Sequence, residues 1–134
     1  MAAFNKFNAW AENMVEVAQL GTDQFVVALT NTLPTAANSV LTDITQITYT
    51  NLSSRNITTA SSSQTAGTQT LVLNDLTMTA SGAVGPFRYV VIYDDTPTSP
   101  ADPLVGWYDY GSSISLATGE TFTVDFTAAA ISLS

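Results

Sequence analysis

Four aspartates crowd one short stretch of this chain: Asp94, Asp95, Asp102 and Asp109. Carboxyl pairs run glycoside hydrolysis, one acting as acid and the other as base or nucleophile. Clustered hard oxygens also suit calcium. These groups would have to work alone, because the chain has no histidine and no cysteine. That removes the commonest general base, the triad base and the commonest zinc ligand, together with thiol chemistry and disulfides. Asp94, Asp95 and Asp102 have the spacing of no EF-hand loop, and aspartate is favoured in turns for backbone reasons. A chain of 134 residues with short loops also has little material for a deep cleft. The expectation is no catalytic residue, no metal and no cofactor. Asp94, Asp95 and Asp102 become candidate contact residues facing solvent or a neighbouring subunit. The Ser81–Pro86 segment is no phosphate cradle, since it lacks the lysine of a P-loop and the following helix of a dinucleotide fold.

The aspartates hang on a hairpin. Phe87–Tyr93 and Leu104–Tyr110 are dense in β-branched and aromatic residues, and the proline-rich Asp94–Pro103 segment joins them. Phe87, Tyr89, Val91 and Tyr93 lie on one face of the first strand, Val90 and Ile92 on the other, which predicts a central strand covered on both sides. Tyr89, Tyr93, Trp107, Tyr108 and Tyr110 would make a sugar-stacking surface if exposed, whereas core packing accounts for most of them. Further strands are expected at Gln24–Asn31, Ile57–Thr65 (an exposed, Ser/Thr-rich edge or arm), Thr68–Leu73, Leu76–Ala80, Ile114–Leu116 and Thr121–Thr127, with a last short one through Ile131 and Leu133. Val40–Thr48 fits either a helical or an extended reading. About eight short strands at spacings near ten residues are the signature of a sandwich or barrel. The expected fold is mainly β: an antiparallel β-sandwich, jelly-roll-like, with one N-terminal amphipathic helix, as a single domain over residues 1–134.

That helix is expected over Ala3–Leu20, because Phe4, Phe7, Trp10, Ala11, Met14, Val17 and Ala18 recur every three or four residues and Gly21 offers a stop. Its aromatic stripe has two open uses: packing on its own sheet, or docking in a groove of a neighbouring subunit. The second use makes Phe4, Phe7, Trp10 and Met14 candidate interaction residues. Arg55 and Arg88 join them, because cations are scarce and each is expected to pair with a carboxylate, within the chain or across an interface.

Eleven acidic residues against Lys6, Arg55 and Arg88 give a net charge of −8. Such a surface repels phosphate backbones, so no nucleic-acid partner is expected. No apolar run approaches the roughly twenty residues that span a membrane, and the first residues do not read as a secretion signal. With only a tenth of its residues charged and many Thr, Ser, Asn and Ala, the surface suits close packing against other proteins.

The segments FNKFNAW, VVALTNTLPTAANSVLTDITQI, NLSSRN and GPFRYVVIYDDTPTSPADPLVGWYDYGSSISLATGETFTVDF together resemble small structural proteins of tailed bacteriophages, of the capsid decoration (cement) class. The resemblance runs from Phe4 to Phe126. It implies a β-sandwich or jelly-roll-like decorator, made in the bacterial host cytoplasm and placed on the virion. There it would bind the outside of the assembled head as a homodimer or homotrimer, with the major capsid protein and copies of itself as partners. No catalytic residues belong to that class.

Overall fold

The computed structural model describes residues 4–126 and 131–133. In chain order the elements are β1 (Phe4–Lys6), α1 (Trp10–Glu16), β2 (Phe25–Thr30), a 3-10 turn (Leu41–Asp43), β3 (Asn56–Ile57), β4 (Thr59–Thr65), β5 (Thr68–Leu73), β6 (Leu76–Thr79), β7 (Val84–Asp94), β8 (Leu104–Leu116), β9 (Thr121–Val124) and β10 (Ile131–Leu133). The chain is mainly β, with antiparallel pairing throughout these strands and one α-helix among the described residues. Three sheets form: β1-β8-β7-β2-β3, β10-β5-β4, and β6-β9.

The β7–β8 hairpin is the centre of the largest sheet, as its residue types predict. Every residue of β2 is buried, and so is β7 from Tyr89 to Asp94. Strands without a polar face need cover on both sides, and the core accordingly falls in two parts. On one face Val27, Leu29, Val90, Ile92 and Tyr108 pack with Leu71 and Leu73 of β5, Met78 of β6 and Val124 of β9. On the other, Val26, Ala28, Val91, Leu104 and Trp107 are covered by Phe7 and Ile44, with Ala36 and Leu41 at the margin. The second cover comes largely from the Asn31–Arg55 connection, whose Val40–Thr48 portion contains a single 3-10 turn rather than a helix or strand.

Two expectations about elements are corrected. The N-terminal helix does not run from Ala3 to Leu20: Phe4–Lys6 is a strand that pairs with Tyr108, Trp107 and Gly106 of β8, and the helix begins only at Trp10. The three-to-four spacing of the aromatics arises from strand, bend and short helix in succession. The chain also does not turn at Gly111-Ser-Ser into a separate strand. Gly111 takes φ +86° and β8 continues to Leu116, its ladder with β7 shifting register on the way. A left-handed glycine inside an extended ladder bends the strand without ending it. The strand foreseen at Ile131 and Leu133 is present as β10, paired with β5.

Gly106 shows how β1 is held. A Cβ built there would run into Phe4 Cζ and stand 2.6 Å from the backbone oxygen of Asn5. The Phe4 ring therefore lies in the space a side chain would occupy, an aromatic filling a strand glycine. Gly106→Ala is expected to expel β1 from the sheet edge and to destabilise by about 1–3 kcal/mol, the range for overpacking. The measurement is urea denaturation beside amide exchange at Asn5 and Lys6. Unchanged protection there would show that β1 does not depend on this contact.

Candidate functional site

The aspartate-rich hairpin end is the place where titratable groups gather. β7 closes on Asp94, whose N–H donates to the Pro103 carbonyl at 3.0 Å. Asp95 N–H donates to the Gln24 carbonyl at 2.9 Å, and Gln24 N–H returns a bond to Thr96 Oγ1 at 2.8 Å. Asp102 sits in the left-handed region at φ +49°, which aspartate tolerates better than most residues. Its carbonyl accepts from Leu41 N–H at 3.0 Å. The loop is thus tied to the start of β2 and to the 3-10 turn, and its backbone is fixed from both sides.

Within this frame Asp94 is an anomaly. Its side chain is 0 % exposed, Oδ1 accepts from Thr96 N–H at 3.3 Å, and Oδ2 has no conventional hydrogen-bond partner. What it meets is the carboxyl of Asp23, itself buried, whose Oδ2 accepts from Gln19 N–H at 2.9 Å. Burial first, and the hydrogen bond with Asp23 second, push Asp94 up to about 8. At neutral pH Asp94 therefore keeps its proton and shares it with Asp23, since two buried carboxylates in contact cannot both ionise. Asp102 is raised as well, by partial burial and then by the charge and hydrogen bond of Asp95.

This is carboxyl chemistry without a substrate path. An acid sealed from solvent cannot reach a glycosidic oxygen, and the two carboxyls touch instead of flanking the gap that a sugar needs. Among the described residues no group of three or more acidic side chains is arranged to hold a metal ion. The expectation that Asp94 faces solvent or a neighbour is corrected: it is an inward-facing residue joining the β7 end to the α1–β2 connection. Asp95 is exposed and Asp102 partly so. Asp23 was not a candidate from the sequence, although an aspartate two residues before an unbroken apolar strand is the signal that points to it.

The other candidates separate as clearly. Phe7 and Trp10 are 0 % and 1 % exposed. Phe7 packs on Trp107 with ring centroids 4.6 Å apart, and Trp10 meets Phe25 edge-on at 6.3 Å. The two rings enter the two different cores, so the segment pins the sheet from both faces and offers neither ring to a neighbour. Phe4 and Met14 are partly buried against the same core. What α1 presents outward is Ala11, Glu12, Glu16 and Val15, the last 61 % exposed.

Arg88 pairs with Asp109 as expected, Nε to Oδ1 at 2.8 Å and Nη2 to Oδ2 at 3.1 Å, which holds the Asp109 carboxyl below its usual range. This half-exposed bidentate pair crosses β7 and β8 within one chain, where solvent screening leaves it a minor contribution to stability. Arg55 departs from the expectation of a carboxylate partner. Its Nη1 donates to the Val27 carbonyl at 2.6 Å, and its guanidinium lies 3.7 Å from the centre of the Tyr49 ring, with Tyr93 also in reach. A flat cation between tyrosines is a stable alternative to an ion pair. Of the supposed sugar-stacking rings, Tyr89, Tyr93, Trp107 and Tyr108 are all buried.

Comparison with protein-family models, curated proteins and solved structures returned no match.

Proposed function

We propose that this chain is a non-enzymatic structural protein of a tailed bacteriophage. It decorates and stabilises the assembled capsid by binding the outer surface as a homo-oligomer. The fold that goes with this reading is an antiparallel β-sandwich of jelly-roll-like form. One core cluster drawing residues from all three sheets supports that form. The observation that carries the functional reading is where the chemistry went. The aromatics, Asp94 and Arg55 are spent on internal packing, while the surface keeps uncharged Ser/Thr strands and isolated apolar residues such as Val15 and Leu33. Rigid bodies with such surfaces act by contact area, and a protein that binds only the assembled shell stabilises it by mass action. The resemblance of Phe4–Phe126 to phage decoration proteins supplies the setting.

The decisive experiment locates the chain in particles of the phage that encodes it, by cryo-electron microscopy with gold-labelled antibody as a second readout. Density and label on the outer face of the expanded head are expected. Label confined to the tail or neck would replace this reading with that of a tail-associated β module.

A further inference from the structure

The edges of the three sheets are not equivalent. β1 is three residues long and carries Lys6, β3 is two residues long, and β9 is bracketed by Glu120 and Asp125. β6 is partly covered by Ser53, whose N–H reaches the Thr79 carbonyl and whose Oγ accepts from Thr79 N–H. Short length, charge and cover are the usual means of keeping an edge from pairing. Among the described residues β4 has none of them along its outer edge. It is seven residues long, Thr-Ala-Ser-Ser-Ser-Gln-Thr, mostly exposed, and among the described residues β5 is the one strand it pairs with. From Asn56 to Asn74 the chain carries no charged residue at all.

That neutrality selects the occupant. Copies of a chain with net charge −8 repel one another across most of their surfaces, and β4 is a seven-residue edge strand on which neither copy brings charge. We infer that two copies of this chain join along β4, antiparallel, across a two-fold axis. The inference takes from the proposed function only the expectation of a homo-oligomer.

The hairpin fixes which residues of β4 bond outward. Ala66 and Gly67 both have positive φ, +53° and +86°, so Thr65 and Thr68 close a two-residue turn of the I′ kind and form a hydrogen-bonded pair. Alternation then bonds Ser63 to Thr70 within the hairpin and turns the N–H and C=O of Ser62 and Gln64 outward. A two-fold centred on Ser63 uses both of these outward residues, bonding Ser62 of one copy to Gln64 of the other, twice, and it is the register we infer. Ser63 then faces its own copy in a non-hydrogen-bonded pair, with Cα atoms about 4.5 Å apart. This falls in the range a disulfide bridges. Ser63 is exposed, so the position is open to a probe.

Because the chain has no cysteine, Ser63→Cys gives a single thiol that can link only to another copy. Under mild oxidation Ser63→Cys is expected to convert to covalent dimer, while Thr65→Cys, displaced from its copy by about 13 Å along the strand, stays largely unlinked. Ser63→Lys sets two ammonium groups opposite each other and is expected to weaken dimerisation roughly fivefold in sedimentation equilibrium. Its exposed site keeps the fold readable by circular dichroism. Equal linking of both cysteine variants, a Ser63→Lys dimer as tight as the parent, or a parent chain that sediments as a monomer each overturns the inference. These outcomes do not bear on the head labelling, so the edge and the decorating role fail separately.

Discussion

Trp10→Ala unfolds this protein more readily instead of merely loosening a contact with a neighbour. The indole is 1 % exposed, packs edge-on against Phe25, and belongs to the core cluster that joins β2, β5, β7, β8 and β9. Removing a buried ring of this size leaves a cavity that the β ladders cannot close, and such truncations cost about 3–5 kcal/mol. Cores of this density relax little. The expected result is a shift of the urea midpoint to lower denaturant with an unchanged slope, since the surface exposed on unfolding barely changes. Truncation of a docking side chain would leave the midpoint within about 0.5 kcal/mol of the parent, as surface substitutions do. Chemical denaturation of the isolated chain therefore separates the two uses. Val15→Ala, on the exposed side of the same helix, is the matching control.

The N-terminal segment shows where periodicity misleads. Phe4, Phe7, Trp10 and Met14 have helical spacing, yet Phe4 pairs with Tyr108, more than a hundred positions away, and no local window contains that partner. Asn5 and Asn8 are weak helix formers and were the local hint of an interruption. The central hairpin was legible for the opposite reason. Its strands are long, β-branched and apolar on both faces, and the segment between them is dense in proline and aspartate, so local preference and tertiary role agree. β4 was legible as an exposed edge because it has almost nothing to bury. The Asn31–Arg55 connection was not, since its Ile44 is buried against Tyr89, Val91 and Trp107 without regular structure of its own. Its conformation is dictated by the sheet it covers. The burial of Asp94 is not legible locally, because aspartate next to proline-rich chain reads as a turn. The unbroken buried run Tyr89–Tyr93 ends on it in the same register, and its environment is set by Asp23, seventy-one positions earlier.

That carboxyl pair makes stability depend on pH in the direction opposite to an ion-paired aspartate. Asp94 is raised from 3.8 in the open chain to about 8 in the folded one. Between those values the folded state binds a proton that the unfolded state has lost, so stability falls as pH rises, at up to about 1.4 kcal/mol per pH unit, and levels off above the folded value. Below the open-chain value both states are protonated and the contribution is fully present. Of the groups facing Asp94, the Asp23 carboxyl and then the charge of Asp95 act in the same sense as burial, and Thr96 N–H on Oδ1 is the opposing bond, outweighed by burial and Asp23. Arg88–Asp109 is half exposed on the hairpin surface and titrates in the acid range, outside this window. Asp94→Asn keeps the shape, can donate its amide to Asp23 and accept from Thr96, and carries no proton to lose. The melting temperature of the parent is expected to drop by several degrees per unit between pH 6 and 8, while that of Asp94→Asn stays nearly flat. At pH 8.5 the variant is then the more stable of the two by a few kcal/mol, with the crossing point at lower pH. Asp23→Asn tests the same pair from the other side: with a neutral neighbour, Asp94 ionises at lower pH and the decline moves with it. Parallel melting curves for parent and Asp94→Asn across this window would mean that the two carboxyls do not share a proton in the folded protein.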